Sequence, residues 1–343
     1  MTNPWRGADI GILGPAPCDD PAYVTALLKR CPAHAPTPLV DAPALAARVG
    51  VKAVWVKDER GRMGLGSFKA LGAAFAIARE AAKVGGDDLG QSLRGRTFVT
   101  ASAGNHGLSV AAGARVFGAQ AVIYLAETVP DAFAARLQDR GARVVREGAF
   151  YEASMAAAER AAASEGWTLL SDSSWDGYSA LPYRVMEGYL QLATEAAAQM
   201  SEPPTHILLQ AGVGGLAAAV AAYARREWGE APQIIVVEPE AAPALCESVK
   251  AGQLVDTSGP VSSMGRLDCK TPSLIALKGL ARDADMFVTI SEEEAQAALP
   301  VLAERGLATT ASGGAGLAAL LAGLPIGSDA RVWAILSEGP EDG

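Results

Sequence analysis

Short β-branched runs alternate with alanine-rich stretches along most of the chain. Strand candidates are AVWVKD (53–58), TFVTA (97–101), AVIYL (121–125), ARVVRE (142–147) and TLLS (168–171), followed by HILLQ (206–210), IIVVE (234–238) and VWAILS (332–337). Helical runs lie between most of them, such as SFKALGAAFAIAREAAK from Ser67 and SMAAAERAAASEG from Ser154. Strands alternating with helices of this length predict an α/β protein with mostly parallel sheets. Ligands in such sheets sit beyond the carboxyl ends of strands, where loops lead into helix N-termini.

Two clusters of chain-breaking residues punctuate the pattern. KVGGDDLGQSLRGR (83–96) reads as a crossing between lobes or a surface loop. At MSEPPTHI (200–207), Pro203 and Pro204 cannot continue a preceding helix. Four strand–helix repeats lie between the clusters, enough for a small domain of residues 97–200. Residues 1–96 plus 201–343 would then form one larger domain, giving a two-lobed molecule.

Composition narrows the function classes. The 343 residues are 50% hydrophobic and 20% charged, a globular balance, and the length exceeds one typical core. A net charge of −9 argues against nucleic acid or an anionic membrane as the main partner. Small anions are a different matter, because local amides and helix ends hold them. The four cysteines form no Cys-x-x-Cys pair and there are only three histidines, so neither a metal site nor a disulfide framework is expected. Thiols in a reducing cytoplasm are the plain reading, and the N-terminus shows no signal-peptide pattern. The apolar stretch Ile207 to Ala224 contains Gln210 and three glycines, so a strand, loop and buried helix account for it better than a membrane span.

Three segments carry candidate chemistry. In KDERGRMGLGSFKALGAA (57–74), glycines form a turning loop, Ser67 is a plausible N-cap, and Lys69 falls in the first helical turn. The positive end of the helix dipole disfavours a cation there, which would lower the lysine pKa and suit an amine nucleophile. In TASAGNHGLSVAAG (100–113), a strand turns through Ser102, Ala103, Gly104 and Asn105 into a helix, where amides and hydroxyls suit a carboxylate or phosphate. In LLQAGVGGLAAAV (208–220), Gly212, Val213, Gly214, Gly215 and Leu216 bring backbone amides toward an anion at a helix start. The last segment also fits a dinucleotide fingerprint, with Glu238 where a ribose-binding acid would stand. That dehydrogenase reading leaves the Lys69 and Asn105 loops without a role.

In this order the segments resemble the fold-type II (tryptophan synthase-like) enzymes that depend on pyridoxal 5′-phosphate (PLP). GSFKALGAA resembles their Schiff-base lysine motif, SAGNHG their asparagine loop and GVGGL their phosphate loop, over nearly the whole chain. The strand ending at Ser337-Glu338-Gly339 resembles the place where a Ser, Thr or Cys faces the pyridine nitrogen. Longer runs (VKDERGRMGLGSFKALG, SDSSWDGYSALP, MGRLDCKTPSLIALKGLARDADMFVTIS and TTASGGAGLAAL) are similar to diaminopropionate ammonia-lyases.

The resemblance implies that Lys69 bonds the cofactor with Phe68 beside it, that Asn105 contacts its phenolic oxygen, and that Gly212 to Leu216 hold its phosphate. It further implies that Ser337 faces the ring nitrogen, that residues 102–105 bind substrate, and that Asp172 is an acidic residue near the substrate. In the mechanism expected on this basis, Lys69 removes the Cα proton and Asp172 binds a substrate ammonium or protonates the leaving group. A capping role in the loop Ser171-Asp172-Ser173-Ser174 is the alternative for Asp172.

One residue departs from the lyase pattern. The lyases place an Asp before Gly-Asn-His-Gly, whereas this chain has Ala103, as in serine and threonine dehydratases. The expectation is a β-eliminating ammonia-lyase acting on a small β-substituted amino acid, as a cytoplasmic homodimer. Alternatives are a serine/threonine-type dehydratase, another β-eliminase, or a non-catalytic protein that binds PLP or an amino acid.

Overall fold

A computed structural model describes residues 1–85 and 89–340. In chain order the elements are α1 (Ala22–Leu28), β1 (Leu39–Asp41), α2 (Pro43–Val49), β2 (Ala53–Asp58), α3 (Lys69–Val84), β3 (Thr97–Ala101), α4 (Asn105–Val116) and β4 (Gln120–Leu125). Next come α5 (Asp131–Asp139), β5 (Arg143–Arg146), α6 (Tyr151–Glu165), β6 (Thr168–Leu169), α7 (Ala180–Gln199), β7 (His206–Gln210), α8 (Gly215–Trp228) and β8 (Gln233–Pro239). The chain continues through α9 (Ala244–Ala251), α10 (Leu274–Asp283), β9 (Met286–Ile290), α11 (Glu292–Ala303), α12 (Ala315–Leu321) and β10 (Arg331–Leu336).

Two sheets result. The larger runs β1-β2-β10-β7-β8-β9 and the smaller runs β5-β4-β3-β6. Every pairing is parallel except that of β1 with β2. The expected α/β class with parallel sheets and flanking helices is therefore observed. All eight expected strands form, and two more are added: β1, only three residues long, and β9, whose MFVTI run is as rich in apolar and β-branched residues as β3. Both lie at sheet edges, as do β5 and β6.

The sheet orders create the site. In the smaller sheet the chain moves from β3 to β4 and β5 on one side, then returns to place β6 on the other. Loops leaving β3 and β6 thus diverge at adjacent strand ends, the place where open α/β sheets hold ligands. In the larger sheet β10 inserts between β2 and β7. It is a core strand, with Val332 to Leu336 fully enclosed. Its end therefore emerges between the loops leaving β2 and β7.

Helix α3 packs on α4 and α7, and α7 on α8, so the helices between the sheets form one continuous apolar layer. In the 200–207 cluster, Pro203 and Pro204 lie between the end of α7 and β7, as expected, and His206 and Ile207 open the strand. In the 83–96 cluster, residues 86–88 lie outside the described residues. Residues 207–224 form a strand, a loop and part of α8, and among the described residues no helix is long and apolar enough to cross a membrane.

Candidate active site

Lys69 opens α3, as the first helical residue. The position before it is Phe68 and not Ser67, which corrects the expected cap. Ser67 is buried and its backbone bridges to Glu338, while its hydroxyl caps nothing. The loop is fixed against the end of β10 by two backbone bonds, Phe68 N–H to the Ser337 carbonyl (3.0 Å) and Gly339 N–H to the Gly66 carbonyl (3.0 Å). Ser337 is thereby held next to the start of the lysine helix.

The Lys69 ammonium forms an ion pair with Asp172 Oδ2. Burial alone would lower the Lys69 pKa, but the Asp172 carboxylate and, less strongly, Tyr189 reverse this and hold it above the ordinary lysine range. The expected lowering by the helix dipole is therefore overturned, because a carboxylate in contact outweighs partial charges on the first turn. Burial likewise works against an ionised Asp172, yet Lys69 and then His106 pull its pKa well below the carboxylate range.

Asp172 is braced from two sides. Tyr178 Oη accepts the Ser171 N–H (3.1 Å) and donates to the Leu169 carbonyl (2.9 Å). Ser174 Oγ accepts the Ile275 N–H (3.0 Å) and so ties the same loop to the start of α10. Trp175 stacks on Tyr178 with ring centroids 4.4 Å apart and packs against it. His106 donates from Nε2 to the Leu170 carbonyl at 2.8 Å, binding the first turn of α4 to the strand end that carries Asp172.

Beyond β3, Ser102 Oγ accepts the Gly104 and Gly107 N–H groups at 3.2 and 3.0 Å. The serine thus caps the first turn of α4. Ala103 is exposed at the tip of the turn. Asn105 begins α4 and donates from Nδ2 to Glu338. Beyond β7, Gly214 holds φ +95°, and a Cβ there would stand 2.9 Å from Leu245 Cδ1. A Cβ on Gly212 would lie 2.9 Å from Cys269 Sγ. Only glycine serves at either position.

Helix α8 then starts with no side-chain cap, leaving its first amides available for an anion. A phosphate at this helix start, a primary amine at Lys69, a donor at Asn105 and a hydroxyl at Ser337 together fit a phosphorylated pyridine aldehyde. The ribose-binding alternative loses its acid: Glu238 is buried and accepts the Leu245 and Cys246 N–H groups, both at 2.8 Å.

The structure adds three residues to those expected from the sequence. Tyr189 is buried with its ring edge-on to Phe68 at 4.9 Å. Cys269 lies against Gly212, and burial, reinforced by Asp172, pushes its thiol up to about 12. Glu338 is buried among Asn105, Thr310 and Arg266. All three reach the site through contacts distant in sequence, so no local motif marks them. No group of metal ligands occurs among the described residues.

Comparison with known proteins identifies the family. A diaminopropionate ammonia-lyase of Salmonella typhimurium is 33% identical over 290 residues, covering 78% of this chain and 72% of that one. Two crystal structures of the Escherichia coli diaminopropionate ammonia lyase each superpose with a TM-score of 0.87 over 99% of this chain and 93% of theirs. One is a complex with D-serine at 28% identity. The other is a complex with an aminoacrylate-PLP azomethine reaction intermediate at 30% identity. The model of the pyridoxal-phosphate dependent enzyme family matches residues 31–338, and the chain belongs to that family.

Proposed function

We propose that the protein is a PLP-dependent ammonia-lyase that eliminates the β-amino group of 2,3-diaminopropionate or a close analogue. The observation carrying this reading is the contact of Lys69 Nζ with Asp172, which puts an amine beside a carboxylate that stabilises its protonated form. Bound PLP would supply an electron sink that acidifies the substrate Cα–H. Gly212 to Leu216 would hold its phosphate, Asn105 its phenolic oxygen and Ser337 its ring nitrogen, with Phe68 beside Lys69.

Lys69 Nζ takes the Cα proton and becomes an ammonium beside the Asp172 carboxylate, which stabilises that charge. The same carboxylate attracts a cationic β-substituent and orients it toward Lys69. The cationic β-substituent leaves as neutral ammonia as the Cα–Cβ double bond forms, the proton on Lys69 passes to that departed ammonia, and the released enamine hydrolyses to a 2-oxo acid and a second ammonia. Residues 102–105 provide amides for the substrate carboxylate, with Ser102 acting through the turn it caps.

The unpaired state of all four cysteines supports a cytoplasmic setting. A small domain of residues 97–200 is supported by the smaller sheet, which draws all its strands from within that range. Ala103 favours a second reading, a serine/threonine-type dehydratase. The deciding experiment measures 2-oxo acid release from a panel of β-substituted amino acids. Fast turnover of diaminopropionate with slow turnover of serine and threonine is expected, and the reverse order would establish the dehydratase.

A further inference from the structure

Glu338 follows the hydroxyl residue at the end of β10 and is only 4% exposed. Its carboxylate accepts hydrogen bonds from Asn105 Nδ2 and Thr310 Oγ1, and Arg266 Nε lies 3.0 Å from its Oε2. These partners come from the start of α4, the turn before α12 and the loop before α10. The Arg266 backbone N–H also donates to Ser312 Oγ at 3.1 Å, joining the last two segments. Arg266 and Thr310 fall in the long runs that resemble the ammonia-lyases, yet neither has a role in the reaction described above.

An asparagine amide has two ends of similar size and opposite polarity. Only its NH2 end can donate to an anionic oxygen, and its carbonyl end would repel one. A carboxylate accepts hydrogen bonds and donates none. Beside Glu338 the Asn105 amide is therefore forced to turn its nitrogen inward, and one of the two hydrogens is used in doing so. The second remains on the same nitrogen.

We propose that Glu338 is a positioning residue acting through Asn105: its carboxylate fixes the amide so that the remaining Nδ2–H serves the cofactor's phenolic oxygen. Arg266 and Thr310 hold that carboxylate in place, and the Arg266 charge offsets the cost of enclosing it. The proposal rests on the reading that Asn105 contacts this oxygen. A role confined to the 309–314 turn is a weaker account, because Thr309 Oγ1 donates to the Glu338 backbone carbonyl at 2.6 Å. That tie needs no carboxylate.

The test compares full-length Glu338→Gln, Asn105→Ala and the double variant, reading the visible absorption band of bound PLP and the rate of PLP loss on dilution. Glu338→Gln should shift the band in the same direction as Asn105→Ala and speed PLP loss about tenfold, the scale of one charge-assisted hydrogen bond. It should lower kcat more than it changes KM. In the Asn105→Ala background it should add nothing. Thr309→Val should lower the melting temperature and leave the band in place.

A wild-type band and loss rate in Glu338→Gln, or additive effects in the double variant, overturn the proposal alone. An unchanged band in Asn105→Ala overturns the Asn105 reading and the proposal with it. If Glu338→Gln does not fold, Arg266→Met must shift the band in the same direction, and an unshifted band counts against the proposal.

Discussion

Phe68 donates its backbone N–H to the Ser337 carbonyl at 3.0 Å, joining the residue before Lys69 to the residue that follows the buried core strand β10. Because the bond is between backbones, the spacing of Lys69 and Ser337 does not depend on flexible side chains. The proposed roles of Lys69 as amine and Ser337 as ring-facing hydroxyl gain precision from this arrangement. The opposite side of the site, from Asn105 to Asp172, is built on the smaller sheet and linked to the first by side chains.

Lys69 should be the residue that bonds PLP. The purified protein should be yellow, lose the visible band on borohydride reduction, and yield the label on a Lys69 peptide. Lys69→Ala should reduce kcat by about 10²–10⁴-fold, the range for loss of a positioned base. Label on another lysine, found by mass spectrometry, would reject the assignment.

Tyr178 should matter to catalysis without touching the substrate. Its hydroxyl both accepts from Ser171 and donates to Leu169, and Tyr178→Phe removes both bonds. The expected cost is about 1–3 kcal/mol of stability, because the Ser171 amide loses its partner. As the loop carrying Asp172 loosens, kcat should fall while KM changes little. Denaturant unfolding together with steady-state kinetics checks both halves.

Much of this architecture is legible in the sequence because it repeats locally. The strand runs, the alanine-rich helices and the glycine loops each declare themselves within a dozen residues. Lys69, Asn105 and Gly214 stand at such loop–helix junctions, which is why they are recognisable. Glu338 and Cys269 are not, since their significance comes from Arg266, Thr310, Asp172 and Gly212, brought close only by the fold. The rise in the Lys69 pKa was hidden for the same reason: the dipole is local, whereas Asp172 is 103 residues away. Strand β1 has three residues, too few for a periodic pattern, whereas the MFVTI run of β9 is as legible as that of β3.

The Lys69–Asp172 pair should leave a pH signature in the protein freed of PLP. Asp172 has a folded pKa below its ordinary 3.8, so its contribution is fully present above that value and is lost as pH falls through the folded one. Lys69 has a folded pKa above its ordinary 10.5, so its contribution is fully present below that value and is lost as pH rises through the folded one. Melting temperatures of wild-type and Asp172→Asn protein should therefore differ most between these limits and converge beyond both. The mid-range difference should correspond to roughly 1–3 kcal/mol. A gap independent of pH would show that the pair is not the source.

The enzyme should act on one enantiomer of its substrate, the L-form expected from the resemblance to serine and threonine dehydratases. Lys69 approaches from one face and can take a Cα proton only from that side. Turnover of the other enantiomer needs a second base on the opposite face, and Ala103 presents only a methyl group at the exposed tip of the loop. Ser102 does not substitute, because its oxygen is committed to the Gly104 and Gly107 amides and a neutral hydroxyl is a weak base. Asp172 is in contact with Lys69 itself, which places it beside the first base. Initial rates on D- and L-2,3-diaminopropionate should be strongly L-biased in the natural protein. Ala103→Asp should introduce D-activity, since the new carboxylate extends from the turn that leads into Asn105. Equal rates on both isomers in the natural protein would require a second base elsewhere, and Asp172→Asn would then test whether it is Asp172.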